Sequence, residues 1–246
     1  MTTAFAVMGE TAGTRGSMPG GLAVARVGGV TVELHPSGAL WLSATRTLVV
    51  ADLHFEKASS FARFGQLLPP YDTAITLSRL EAVVAALSPD RVVALGDSFH
   101  DRGGAARLSA ADLARLSTLV GGREWLWITG NHDPEISDHV GGARAADAEI
   151  GGLVLRHEPS ATFVEGEVCG HLHPALTVVG RGRGVRRRCF ATDGHRLVLP
   201  AFGSLAGGLD LFDQAFARVL SRARTVAHLI SAERLYRIPL AAKRGR

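Results

Sequence analysis

"LWITGNHDPE", Leu126 to Glu135, begins as a strand and ends as something else. The apolar run stops at Gly130, and Asn131, His132 and Asp133 follow side by side. Pro134 then keeps a helix from starting at once. A carboxamide, an imidazole and a carboxylate crowded onto a strand end bring little to a core. They are residue types that hold metal ions.

The same arrangement returns along the chain. "LVVADLH" ends on Asp52 and His54, and "VVALGDSFHD" on Asp97, His100 and Asp101. "LVLRH" ends on His157, and "EVCGHLH" on His171 and His173. Taken singly, a D-x-H or a terminal histidine is more often hydrogen-bonded structure than a ligand. The ordered set is a stronger signal, because sites in open α/β sheets gather at the carboxyl ends of strands. One crevice lined by five strand ends is expected, with metal in it.

The intervening sequence supplies the layers. "VTVEL" (30–34), "ALWL" (39–42) and "TLVVA" (47–51) read as short strands, with Ser37 and Gly38 turning between the first two. Residues 72–87 carry apolar groups at helical spacing, with Asp72 placed to cap the helix and "SPD" to end it. Strands at 92–95 and 125–128 flank a helix at 109–120 opened by Ser109. That order, β-β-β-α-β-α-β, is the signature of an α/β layered fold. The second half reads as short strands at 153–157, 167–171, 176–180, 185–190, 196–200 and 225–230. "RGRG" (181–184) forms a hairpin tip there, and 211–220 a helix.

Composition sets the limits. With 246 residues, 46% of them hydrophobic and 20% charged, the chain can bury one sizeable core. A single domain is expected over 22–240, between a disordered leader (1–21) and a basic tail (241–246). No apolar run approaches the roughly 18 residues of a membrane span, and the start lacks the apolar core of a signal peptide. Cys169 and Cys189 make no disulfide framework, so a reducing, cytoplasmic setting fits. The net charge of +4 permits an anionic partner without demanding one. Of 27 basic residues only Lys57 and Lys243 are lysine, a skew that reflects genome composition, so arginine richness alone is no evidence for phosphate binding.

The ordered set from Asp52 to His173 resembles the calcineurin-like metallophosphoesterase superfamily. Two further stretches, "ADLHFEKASSFARFGQLLPPYDT" (51–73) and "LPAFGSLAGGLDLF" (199–212), look like one branch of it, the ligase-associated DNA-damage-response endonucleases (PdeM). The resemblance implies an α/β fold, a β-sandwich flanked by helices in four layers (α/β/β/α). It also implies two divalent metal ions, manganese first, with iron or zinc as alternatives. Asp52, His54, Asp97 and His173 would surround one metal and Asn131, His157 and His171 the other, with Asp97 bridging. His132 would face substrate as a catalytic residue, and Asp133 would support the loop. Protein-phosphatase relatives carry an aspartate three residues after the bridging one. This chain has His100 there, as the repair nucleases of the superfamily tend to, so a catalytic His100–His132 pair favours a diester.

The function expected from this resemblance is a phosphodiesterase cutting DNA, as a manganese-dependent single-strand endonuclease in DNA repair. Its partners would be DNA and, from family context, the helicase and ligase of a repair cluster. A phosphatase or a nucleotide phosphodiesterase is the alternative within enzymes. A metal-binding scaffold without catalysis is the alternative of another class, and the intact His132 and full ligand set argue against it. Arg102 and Arg156 flank the expected site residues as candidate substrate contacts. Arg186, Arg187 and Arg188, with Arg181 and Arg183, form a basic hairpin that is either a phosphate-tracking ridge or simply solvated. His35, His139, His195 and His228 read as ordinary structure, Cys169 as a small buried hydrophobe, and Trp41, Trp125 and Trp127 as core.

Overall fold

The structure, a computed structural model, describes residues 5–6, 21–180, 183–232 and 234–241. Most of the expected leader, the Arg181–Gly182 tip and the tail beyond residue 241 lie outside these residues. Seven strands form the first sheet in chain order: β1 (Ala23–Val27), β2 (Val30–Leu34), β3 (Leu40–Leu42), β4 (Thr47–Ala51), β5 (Arg91–Leu95), β6 (Glu124–Ile128) and β7 (Ala143–Ala145). β1 to β4 are an antiparallel meander, whereas β4 to β7 pair parallel. Four helices fill the connections: α1 (Lys57–Ala62), α2 (Asp72–Leu87), α3 (Gly104–Arg107) and α4 (Ala110–Gly121).

The second sheet holds β8 (Asp147–Ile150), β9 (Leu153–Arg156), β10 (Glu167–Cys169), β11 (Pro174–Gly180), β12 (Arg183–Thr192) and β13 (Arg196–Val198). β14 (Leu209–Asp210), β15 (Val226–Ile230) and β16 (Leu235–Pro239) join its flank, and Phe5–Ala6 pairs with β11. One short helix, α5 (Gln214–Ala217), lies in this half.

Alternation along the strands explains the layering. Leu48 and Val50 of β4 and Val92 and Ala94 of β5 pack toward Leu77, Leu80 and Val83 of α2 and Leu116 of α4. Their neighbours Val49, Ala51, Val93 and Leu95 face the second sheet, meeting Leu155, Val168, Phe190 and Leu197. Cys169, Cys189 and Val198 point out of the far face onto Leu211, Phe216 and Leu220. Both faces of the central strands of each sheet are thus buried, which is why those strands read as continuous apolar runs. Each fully buried aliphatic side chain contributes about 1.5–3 kcal/mol. Trp41, Trp125 and Trp127 are core, and both cysteines are buried and free.

Several elements differ from expectation. The helix expected at 211–220 shrinks to α5, because Leu211 N already donates to Ala175 O and Asp213 caps the helix through Ala215 N. Leu211, Phe216 and Leu220 are nevertheless buried, held by turns rather than by one helix face. Asp72 lies inside α2 and caps α1 instead, accepting from Ala58 N at 3.1 Å. Ser109 caps α4 as its sequence signals, accepting from Asp112 N. β10 stops at Cys169, two residues short, because His171 turns into the left-handed region.

Candidate metal centre

Register brings the strand ends level. Ala51 pairs with Leu95 and Leu95 with Ile128, so Asp52, Asp97 and Asn131 leave three adjacent parallel strands at one height. In the second sheet Arg156 pairs with Cys169, so His157 and His171 leave together. His171 N donates to the Asp52 carboxylate at 3.0 Å across the two sheets, and Gly170 N donates to His157 O at 3.0 Å within the second. All five strand ends of the sequence reading meet here.

Backbone strain is concentrated at the same place. Asp52, His54, Asp97, His171 and His173 all have positive φ, between 45° and 64°. They are five of the eight non-glycine residues with positive φ among those described. The conformation costs about 1–3 kcal/mol per residue and clusters at functional sites. Here it turns each side chain back over the strand end. Two glycines permit the close approach. A Cβ on Gly130 would lie 2.2 Å from Asp97 N, and one on Gly170 2.5 Å from Asp52 Oδ2.

Two groups of ligand atoms result: Asp52, His54 and His173, and Asp97, His157 and His171. Asn131 joins the second, its Oδ1 2.9 Å from His157 Nε2. Asp97 sits with that second group rather than visibly between the two. His157 Nδ1 donates to Leu95 O at 3.0 Å, which aims Nε2 at His171 Nδ1 (3.2 Å), Asn131 Oδ1 and Asp97 Oδ1 (3.4 Å). Such a bond from the far ring nitrogen to a backbone carbonyl is how metal-binding histidines are oriented.

Electrostatics show that the centre wants positive charge. Burial works against a charged His157, but the Asp97 hydrogen bond and the Asp52 and Asp97 charges outweigh it and raise its pKa to about 9. Burial likewise opposes ionisation of Asp97, and its bond to His157 and the surrounding histidines pull the carboxyl down to about 2. A proton on His157 thus fills the role that a cation fills better. Burial, followed by His173, lowers His54 to about 2, and burial with His157 lowers His171, which leaves both rings neutral as ligands require. Burial opposes a charge on His173, but Asp52, whose Oδ1 lies 3.1 Å from Nε2, raises its pKa, so a carboxylate draws positive charge here as well. Converging lone pairs and two carboxylates fit divalent cations.

His132 and His100 stand beside these groups. Their rings stack at 5.2 Å and 21°, and His54 is edge-on to both. His132 N donates to Asp97 Oδ1 at 2.9 Å, and His132 Nδ1 to His100 O at 2.9 Å. Its Nε2 is left facing the crevice, 3.9 Å from Asp97 Oδ2. Burial, Lys57 and His132 lower His100 to about 4, so its ring is neutral near pH 7. Asp133 is buried and faces inward, accepting from Phe99 N and Gly130 N, which ties the loops after β5 and β6 together. Lys57, outside the expected site residues, also belongs here: its charge reaches His54 and His100, and "HFEK" places it three residues after His54.

The arginines separate. Arg156 lines a groove of about 340 Å³ with Asn131, His157 and Glu158, paired with Asp147 and Glu167. Arg102 is exposed beside the His100 loop. The basic hairpin is not one ridge, because the pleat sends Arg186 and Arg188 to one face and Arg187 to the other. Arg186 bonds Gly208 O and pairs with Asp210. Arg188 is largely buried and donates to Ser37 O and Ala201 O at 2.8 Å each, so it is a pin and not a phosphate contact. His35, His139 and His195 hold local turns or pairs with Ser37, Ser137 and Glu165.

Comparison with known proteins agrees with this architecture. The Metallophos family profile, described as calcineurin-like phosphoesterase, matches residues 45–197, more than half of the chain. The crystal structure of the Pseudomonas putida nuclease MPE is similar with a TM-score of 0.69 and 26% identity, covering 88% of this chain and 100% of that one. The phosphoesterase YfcE from E. coli matches with a TM-score of 0.40 and 13% identity, covering 79% and 98%. No curated protein sequence matches. Among the described residues no helix is long and apolar enough to cross a membrane. The matched segment carries every strand end from Asp52 to His173, and the chain belongs to the calcineurin-like phosphoesterase family, metal-dependent hydrolases of phosphoester bonds that work with two divalent cations.

Proposed function

We propose that the chain is a two-metal phosphodiesterase that cuts DNA, as a manganese-dependent endonuclease acting on single strands in DNA repair. The observation that carries the diester reading is the His100–His132 stack beside both ligand groups. Similarity to the P. putida nuclease supports it. In this reading Asp52, His54 and His173 hold one cation, Asn131, His157 and His171 the other, and Asp97 is shared. When bound, the cations activate the attacking water and neutralise the non-bridging phosphate oxygens.

The side chains do the rest. The amides of His132 and His171 fix the Asp97 and Asp52 carboxylates, and Leu95 O fixes His157. His132, with Nδ1 committed to His100 O, presents Nε2 to hold or pass the proton of the leaving oxygen. His100, neutral, donates a hydrogen bond to the phosphate. Arg156, which lines the groove beside Asn131 and His157, and exposed Arg102, two residues after His100, would contact neighbouring phosphates. The free thiols of Cys169 and Cys189 suit a reducing compartment, and we place the protein in the cytoplasm.

Manganese-loaded protein should be assayed on single-stranded DNA, a nitrophenyl diester and a nitrophenyl monoester. The expected result is cleavage of DNA and the diester, with the monoester turned over more slowly. A preference for the monoester with DNA uncut would make the protein a phosphatase. No turnover of any of the three by metal-replete protein would make it a scaffold.

A further inference from the structure

We propose a second binding site, for a small phosphate-bearing anion, in the groove between β1 of the first sheet and β15–β16 of the second, where Arg26, Arg224, Arg237 and His228 converge. The groove encloses about 350 Å³, the size of a small-ligand site. It lies at the end of the sandwich opposite the metal centre. Thr192, on its wall, pairs with Leu197 in β13 and with Val226 at the start of β15. The metal-binding residues instead follow the carboxyl ends of β4, β5, β9 and β10.

His228 is the buried anchor. It is only 4% exposed, and its Nδ1 has no hydrogen-bond partner, a costly state for a buried ring nitrogen. Register places it directly opposite Arg237 on β16. Arg224 and Arg237 also line the groove, and neither guanidinium makes a hydrogen bond or ion pair among the described residues. Arg26 donates only to Gly29 O, at 3.1 Å. Single exposed arginines elsewhere, such as Arg102 and Arg187, also lack partners among the described residues; what sets this groove apart is that three guanidinium groups converge on one buried imidazole.

The lining holds one carboxylate, Asp193, against three guanidinium groups. Asp193 accepts from His195 N and Arg196 N through Oδ1 and from Ser221 N through Oδ2, so backbone amides and not the arginines occupy its oxygens. Burial, with Arg237 beside it, holds His228 down to about 4. Guanidinium forks and an imidazole suit the oxyanion of a phosphate, which accepts bidentate bonds. Val24 and Val226 offer an apolar wall for an organic group attached to it.

The test is calorimetric titration of the manganese-loaded full chain with inorganic phosphate and, separately, with a non-hydrolysable deoxynucleoside 5′-phosphonate. Two binding events are expected, one at the metals and one in the groove. Arg224→Ala/Arg237→Ala should lose the second event, its affinity falling about tenfold or more. The metal-centre event and diester turnover should be unchanged. Both arginines are exposed, and an unaltered melting temperature would confirm folding. Tighter binding of the phosphonate would show that the apolar wall contributes; equal binding would show a site for phosphate alone. A single event in the parent, or two in the variant, would overturn the site. Neither result depends on whether DNA is the substrate of the metal centre.

Discussion

His132 and Asp133 are neighbours with opposite duties. His132 keeps an exposed imidazole at the crevice, whereas Asp133 is buried and bonded to two backbone amides. His132→Ala should therefore retain both metals and lose about 10²–10⁴ in turnover on diester and monoester alike, the worth of a positioned acid. His100→Ala should cost DNA and diester cleavage about ten- to a hundredfold, the worth of a hydrogen bond to a charged oxygen, and the monoester less. Metal content measured alongside turnover separates these effects from an emptied site, and parental DNA cleavage by metal-replete His100→Ala would remove the pair. Arg188→Ala strands the carbonyls it bonds and should destabilise the fold by about 1–3 kcal/mol in denaturant titration, whereas exposed Arg187→Ala should leave it unchanged. The ligand residues were legible because each is a polar type at the end of an apolar run. The partners that engage Arg186 and Arg188 were not, because Gly208 and Ser37 are distant in sequence.

Elements matter here mainly by where they stop. β4, β5 and β6 end in register, and the loops that follow are locked by Asp133 and by the approach of Gly130 to Asp97. Gly130→Ala would drive a methyl group into Asp97 N, and the collision cannot be relieved by a flexible side chain. It should destabilise the protein and lower metal occupancy together, whereas Gly194→Ala, with nothing near its Cβ, should leave metal content unchanged despite its positive φ. Elemental analysis and thermal melts of both variants check this. The buried strands were readable from apolar runs. β1, β7, β8 and β16 were missed, because "AVARV", "ARA", "DAEI" and "LYRIP" mix small, charged and exposed residues. α1 also escaped, since its N-cap, Glu56, makes no side-chain cap and its capping carboxylate, Asp72, comes from α2.

At the scale of the molecule, two sheets hold two ligand groups that neither could hold alone, with His54 and Asn131 from the first and His171 and His173 from the second. Proton and metal compete there. In the metal-free protein His157 titrates near 9, above its ordinary 6.5, so it is protonated at pH 7 and must lose that proton to coordinate. Metal uptake at pH 7 should release protons, and affinity should climb as pH rises toward 9. The sign for stability is opposite. The raised pKa stabilises the metal-free fold fully below 6.5, and that contribution is lost as pH passes through about 9. Melts of chelated and manganese-loaded protein across that window should diverge as pH rises. The most direct test of the two-metal centre is elemental analysis of the manganese-loaded chain and of Asp97→Ala. Two ions per chain in the parent and fewer than one tightly held in the variant are predicted, because both sites lose a charged ligand. Fewer than two in the parent, or two retained in Asp97→Ala, would contradict the shared carboxylate.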